Sequence, residues 1–169
     1  KAAIRARLDK LIRLNHTRAD FAEKFEALIE AYNAGSATIE ALYQELLALS
    51  NSLDDEQRRH VRERLSEEEL VIFDILTRPA PALGPEERAE VKKVVRLLLE
   101  RLKTLLVLNW RQKSAARSVL KLAIEDTLDA GLPRAYTPEI YRQKCSAVFE
   151  HVYQAYPEQN AGVYAQGVG

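Results

Sequence analysis

The sequence predicts an all-α protein, an irregular bundle of about eight helices with no sheet. Three observations carry this. Apolar residues recur at spacings of three and four along nearly the whole chain, which is the period of a helix with one buried face. The strong turn formers are few, six Gly and six Pro in 169 residues, and they fall between the periodic stretches. No hairpin dipeptide flanked by alternating apolar residues occurs, so nothing signals paired strands.

The elements follow in order. Ala2 to Leu14 puts Ile4, Leu8, Leu11 and Ile12 on one face. Arg18 to Ala34 carries Phe21, Phe25, Leu28, Ile29 and Tyr32 at i, i+4, i+7, i+8 and i+11, with Thr17 as the expected N-cap and Gly35 as the left-handed residue that ends it. Thr38 caps a third helix with Ile39, Leu42, Tyr43, Leu46, Leu47 and Leu49 inward. A short fourth segment starts near Asp54, runs to about Arg64 on the surface, and has Val61 and Leu65 as its main apolar residues. Ser66 and Glu69 form a capping box that opens a fifth helix with Leu70, Val71, Phe73, Ile75 and Leu76. Pro79, Pro81, Gly84 and Pro85 then break the pattern. They mark a candidate sub-boundary at 77–85 within a single helical domain spanning 1–156.

Pro85 suits the first position of a sixth helix to about Leu105, whose core face is Val91, Val94, Val95, Leu98 and Leu102. Leu105 to Leu108 is either a buried turn or a continuation, which periodicity leaves open. Asn109 is the expected cap of a seventh helix, Trp110 to Ala130, closed by Gly131 and Pro133. Thr137 and Pro138 start the last helix, with Tyr141, Cys145, Val148, Phe149, Val152 and Tyr156 on one side. Residues 157–169 lose the period and are expected to fray. Phe21, Phe25, Tyr43, Phe73, Val94, Leu98, Val148 and Phe149 are the expected core, each on the apolar stripe of its helix.

Composition bounds the function. Apolar residues make up 47% and charged ones 30%, which suits a folded chain rather than a disordered one. Uninterrupted apolar runs such as Leu105 to Leu108 fall far short of the roughly 20 residues of a membrane span. Charges on every turn of the N-terminal segment argue against a signal peptide. A single Cys145 cannot form an internal disulfide, so a reducing cytoplasm is the expected compartment. Methionine is absent and the helical pattern is already running at Lys1, so the chain reads as part of a longer polypeptide.

No catalytic residue is assigned. The sequence has no G-x-x-x-x-G-K-[ST] or G-x-G-x-x-G phosphate loop, so no nucleotide cofactor is expected in this segment. His16, His60 and His151 lie far apart, without metal-ligand spacing. Cys145 and His151 point to different faces of one helix, and Cys145 falls on the apolar stripe. The carboxylate groups Asp54–Glu56 and Glu67–Glu69 sit at expected helix N-termini, where negative charge is favoured.

The net charge is zero but unevenly spread. Gly84 to Lys121 holds ten Lys or Arg against four Glu, giving +6, while Glu40 to Ile75 holds four Arg against ten acids, giving −6. Lys113, Arg117 and Lys121 recur at i, i+4 and i+8 with Arg111 beside them, a stripe suited to duplex DNA phosphates. Trp110 opens the same helix, where an aromatic ring either stacks on a base or anchors the core. The competing reading of these charges is ordinary solvated helix surface.

Two strings carry a family likeness: Asn15 to Asn33, read as N-x-T-R-x-D-F-x-E-x-F-x-x-L-I-x-x-Y-N, and LSEEELVIFDILTRP ending at Pro79. Trp110, Arg111, Ile124, Glu125 and Asp126 follow, then Tyr141, Lys144, Val148, Phe149, His151, Val152 and Tyr153. Together they resemble the C-terminal helical domain of the restriction (motor) subunit of type I restriction-modification enzymes. His16 departs from that pattern, which has proline there. The resemblance implies a parent that is an ATP-dependent DNA translocase and endonuclease using ATP and magnesium. It also implies that this region docks onto the methyltransferase and specificity subunits and contributes no catalytic residue. A DNA-guiding role for the 84–121 face is the alternative.

Overall fold

A computed structural model describes residues 2–157 and residue 164. It contains α1 (Ala2–Leu14), α2 (Ala19–Asn33), α3 (Ile39–Arg62), α4 (Glu67–Thr77), α5 (Pro85–Leu105), α6 (Ser114–Gly131) and α7 (Pro138–Ala155). Single 3-10 turns lie at His16–Arg18 and Trp110–Gln112, and the described residues contain no strand. The protein is all-α, as the periodicity predicts. The expected fraying falls largely on residues outside those described. The chain gathers into two compact units, Lys1–Ser66 and Glu67–Gly169.

In the first unit, α1, α2 and α3 surround a core of Leu8, Leu11, Phe25, Leu49 and Leu53, with Ile4, Phe21, Leu28, Ile29 and Leu46 partly buried around it. Asn15, rather than Thr17, is the cap at the α1–α2 corner: its Oδ1 accepts from the Thr17 backbone N–H (3.1 Å) and from the Thr17 hydroxyl (2.6 Å). One 3-10 turn then precedes α2. Gly35 closes α2 at φ +80°, with its N–H on the Tyr32 carbonyl and the Ser36 N–H on that of Ala31.

The expected third and fourth segments are one 24-residue helix. No Gly or Pro stands between Thr38 and Glu63 to stop it, and the Asp54 carboxylate is taken by Arg7 instead of capping a new start. Tyr43 is exposed, against expectation, as are Ile39 and Leu47; only Leu42, Leu46 and Leu49 of that group turn inward. An apolar stripe six residues deep is wider than the neighbouring helices cover.

The second unit is built around α4. Every residue from Leu70 to Leu76 is buried, Asp74 included, so this helix is enclosed on all sides, with α5 and α7 as neighbours. Its C-terminal carbonyls are met from elsewhere in the unit: the Tyr136 hydroxyl donates to Leu76 O (2.7 Å) and Lys144 Nζ to Ile75 O and Arg78 O (2.8 Å each). Residues 77–85 lie within this unit. Pro85 is the first residue of α5, as expected, and the Gly84 N–H donates to Glu87 Oε1 (3.2 Å).

The chain leaves α5 at Leu105 in a turn with Leu106 buried and Val107 and Leu108 exposed. Asn109 does not cap a helix. It takes a left-handed conformation (φ 57°), a 3-10 turn follows, and α6 starts only at Ser114. At its far end α6 runs so close to α5 that a Cβ on Gly131 would collide with Val94. Thr137 caps α7 through its hydroxyl to the Ile140 N–H, with Pro138 next, as expected. Phe25, Phe73, Val94, Leu98 and Val148 are buried, while Phe21 and Phe149 are half-buried because each lies at the margin of its stripe.

Candidate functional site

The four candidate DNA-contacting cations lie along the 3-10 turn and α6, next to α7. Arg111, on the turn, donates Nη2 to the Gln154 carbonyl (3.2 Å) and stands 4.7 Å from the centre of the Tyr153 ring. Arg117, in the first turn of α6, donates to the Arg111 carbonyl. Lys121 is exposed, with its ammonium 5.7 Å from the Phe149 ring. Lys113 is exposed at the residue before α6. The Phe149 and Tyr153 rings stand 6.3 Å apart. Lys121, Phe149, Tyr153 and Arg111 thus form one row, two neighbouring rings with a cation at each end.

Trp110 stands behind that row, fully buried. Its ring meets Tyr153 edge-on at 5.8 Å, and its indole N–H donates to the Tyr156 carbonyl (2.7 Å). It is a core anchor, unable to stack on a base. The N-terminus of α6 carries no acidic residue in its first turn, although Arg111, Lys113 and Arg117 gather there. Cations at the positive end of a helix dipole are electrostatically disfavoured, and an anion there would relieve them.

Other polar groups serve the fold. Arg18 is buried. It donates Nε to Glu56 Oε1 (2.8 Å) and Nη1 to the Leu11 carbonyl (3.1 Å), while Arg59 grips the same carboxylate at 3.0 Å. Burial pushes the Glu56 carboxyl up, but the hydrogen bonds from Arg59 and Arg18 outweigh that and hold it below its ordinary value. Burial lowers the pKa of the Lys144 ammonium and raises that of the Cys145 thiol, so Cys145 is protonated near neutral pH and not poised as a nucleophile. A small cleft lined by Leu128, Asp129, Leu132, Pro133, Tyr136, Pro138 and Tyr141 offers one carboxylate. Its two phenols already donate to backbone carbonyls, Tyr136 to Leu76 and Tyr141 to Glu125. Among the described residues no group of three or more His, Cys, Asp or Glu could hold a metal. No helix among them is long and apolar enough to cross a membrane.

Sequence reasoning missed Arg18 and Lys144 as buried cations, because charge marks a residue as exposed unless its partners are known. The only hint was position, with Arg18 directly after a capping Asn-x-Thr. The family model described as "Type I restriction enzyme HindI endonuclease subunit-like, C-terminal" matches residues 1–158, and the chain belongs to that family. No curated protein and no solved structure matches the chain.

Proposed function

We propose that this domain is an attachment module. It holds an ATP-dependent restriction and translocation subunit on its methyltransferase–specificity core. The observation that carries the reading is the outer face of α6. Ala115, Val119 and Leu122 are exposed at i, i+4 and i+7, on the helix that also presents Arg117 and Lys121. Apolar residues edged by charge are the composition of a specific, reversible protein interface.

The test is made in the full-length subunit. Val119→Asp with Leu122→Asp weakens assembly with the methyltransferase–specificity core by about tenfold or more, the effect of losing contacts worth about 1.4 kcal/mol. The DNA-stimulated ATPase of the free subunit is retained. Unchanged assembly overturns the docking role for this face.

A second reading is favoured by the cation cluster at the acid-free N-terminus of α6: phosphates of duplex DNA would relieve it. Lys113→Glu, Arg117→Glu and Lys121→Glu together separate the two. They abolish salt-sensitive DNA binding by the free subunit if the face contacts DNA, and leave that binding unchanged if the face serves docking alone.

A further inference from the structure

The uncovered side of α3 is the feature the docking reading does not use. Ile39, Tyr43 and Leu47, at i, i+4 and i+8, are 68%, 63% and 48% exposed. Three large apolar side chains in a row on one helix face form a patch that water disfavours.

The same side of α3 is occupied further along. Arg7 of α1 reaches Ser50 (3.3 Å), Asp54 (2.6 Å) and Gln57 (3.4 Å), all on the Ile39–Tyr43 side of the helix. Two short reversals make α1 run parallel to α3. In the first, Arg5 pairs with Glu26 and lies 5.2 Å from the Phe25 ring, setting the start of α1 against the middle of α2. In the second, Arg18 at the head of α2 meets Glu56 near the end of α3. Arg7 lies 43 and 47 positions from Ser50 and Asp54. On that offset Ala2 comes level with the turn at Leu47, so Tyr43 and Ile39 lie beyond the first turn of α1.

We propose that the Ile39–Tyr43–Leu47 stripe seats the polypeptide that leads into α1 in the parent subunit. That polypeptide continues α1 upstream as a helix. A straight extension rises about 1.5 Å per residue and keeps its faces, so on the Arg7–Ser50 offset of 43 the positions seven and eleven before Arg7 come level with Tyr43 and Ile39. The helix would therefore join this domain to the rest of the subunit by packing, not through a loose linker. The proposal rests on the family assignment as the C-terminal part of a subunit. It does not depend on what α6 binds.

Cysteine labelling tests it. Ile39→Cys and Tyr43→Cys are made separately, with Val61→Cys, also exposed on α3, as the control. Maleimide modification of each is followed by peptide mass spectrometry in this 169-residue chain and in the full-length subunit, with no methyltransferase partner present. Positions 39 and 43 label roughly tenfold or more slowly in the full-length subunit, as expected of protected sites, while position 61 is unchanged. Equal rates at 39 and 43 overturn the proposal. So does slowing at all three positions, which means cover by another domain, or protection in the 169-residue chain that grows with protein concentration, which means a second copy.

Discussion

Glu56 shows how one residue can hold three segments of chain. Its carboxylate lies between Arg18 and Arg59, and Arg18 also donates to the Leu11 carbonyl, so the end of α1, the head of α2 and the last turns of α3 meet at one charge. Replacing it leaves a buried guanidinium without its counterion, so Glu56→Gln should destabilise the fold by about 3 kcal/mol. A lower midpoint in urea, followed by circular dichroism at pH 7, is the measurement. The pH dependence follows from the direction of the shift. A carboxyl depressed in the folded state contributes its stability above the ordinary value, 4.5, and loses it as pH falls through the lower folded value. The gap between wild type and Glu56→Gln should therefore be full at pH 7 and shrink below about pH 4. A gap that stays constant to pH 2 would mean that the pair contributes no pH-linked stability. None of this was legible beforehand: periodicity locates apolar faces, whereas a buried ion pair depends on which helix ends meet.

At the scale of elements, local signals served well wherever a single residue decides the backbone. Gly35, Pro85, Thr137 and Pro138 all fall where their conformational preferences place them. They failed where the deciding contact is distant. Asp54 looked like a helix start because its partner Arg7 stands 47 residues away, and Asn109 looked like a cap although it turns left-handed before Trp110 enters the core. Gly131 is another distant decision. Alanine is the better helix former by about 1 kcal/mol, so propensity alone makes Gly131→Ala stabilising. Its new methyl would run into Val94, a stiff side chain that is itself largely buried. Overpacking of this kind costs about 1–3 kcal/mol, so the net effect should be destabilising or at best neutral. A raised melting temperature for Gly131→Ala would show that α5 and α6 can separate. Thr137→Ala, which removes the hydroxyl that accepts from Ile140, should lower stability by about 1 kcal/mol.

For the whole molecule, the class of fold and the family were readable from the sequence, because both rest on the order of many helical signals and not on any one contact. The candidate site was readable only in part. Its cations do lie near one another, but Arg111 and Arg117 are spent on backbone carbonyls and Trp110 faces inward. If attachment is reversible and edged by charge, its affinity should fall as salt is raised over the range in which the screening length shrinks from about 10 Å to 3 Å. Titration of the full-length subunit against the methyltransferase–specificity core at several salt concentrations checks this, and a salt-independent affinity would point to a dry apolar seam instead. Purified on its own, the chain should show no ATP or DNA turnover with magnesium, measured against a mock purification.

The carbonyl-seeking side chains of the second unit have a consequence for how the sequence can drift. Tyr136, Lys144, Trp110 and Tyr141 each end on the main chain, at Leu76, at Ile75 and Arg78, at Tyr156 and at Glu125. A carbonyl is the same group whatever residue bears it. Each bond therefore constrains its donor and is indifferent to the identity of its acceptor. In a saturation library scored for folded protein, positions 136, 144, 110 and 141 should accept few replacements. Of the acceptor positions, exposed Arg78 and half-buried Glu125 should accept almost any residue except proline, so tolerance would be lopsided across those two contacts, whereas Leu76, Ile75 and Tyr156 are held by their own burial.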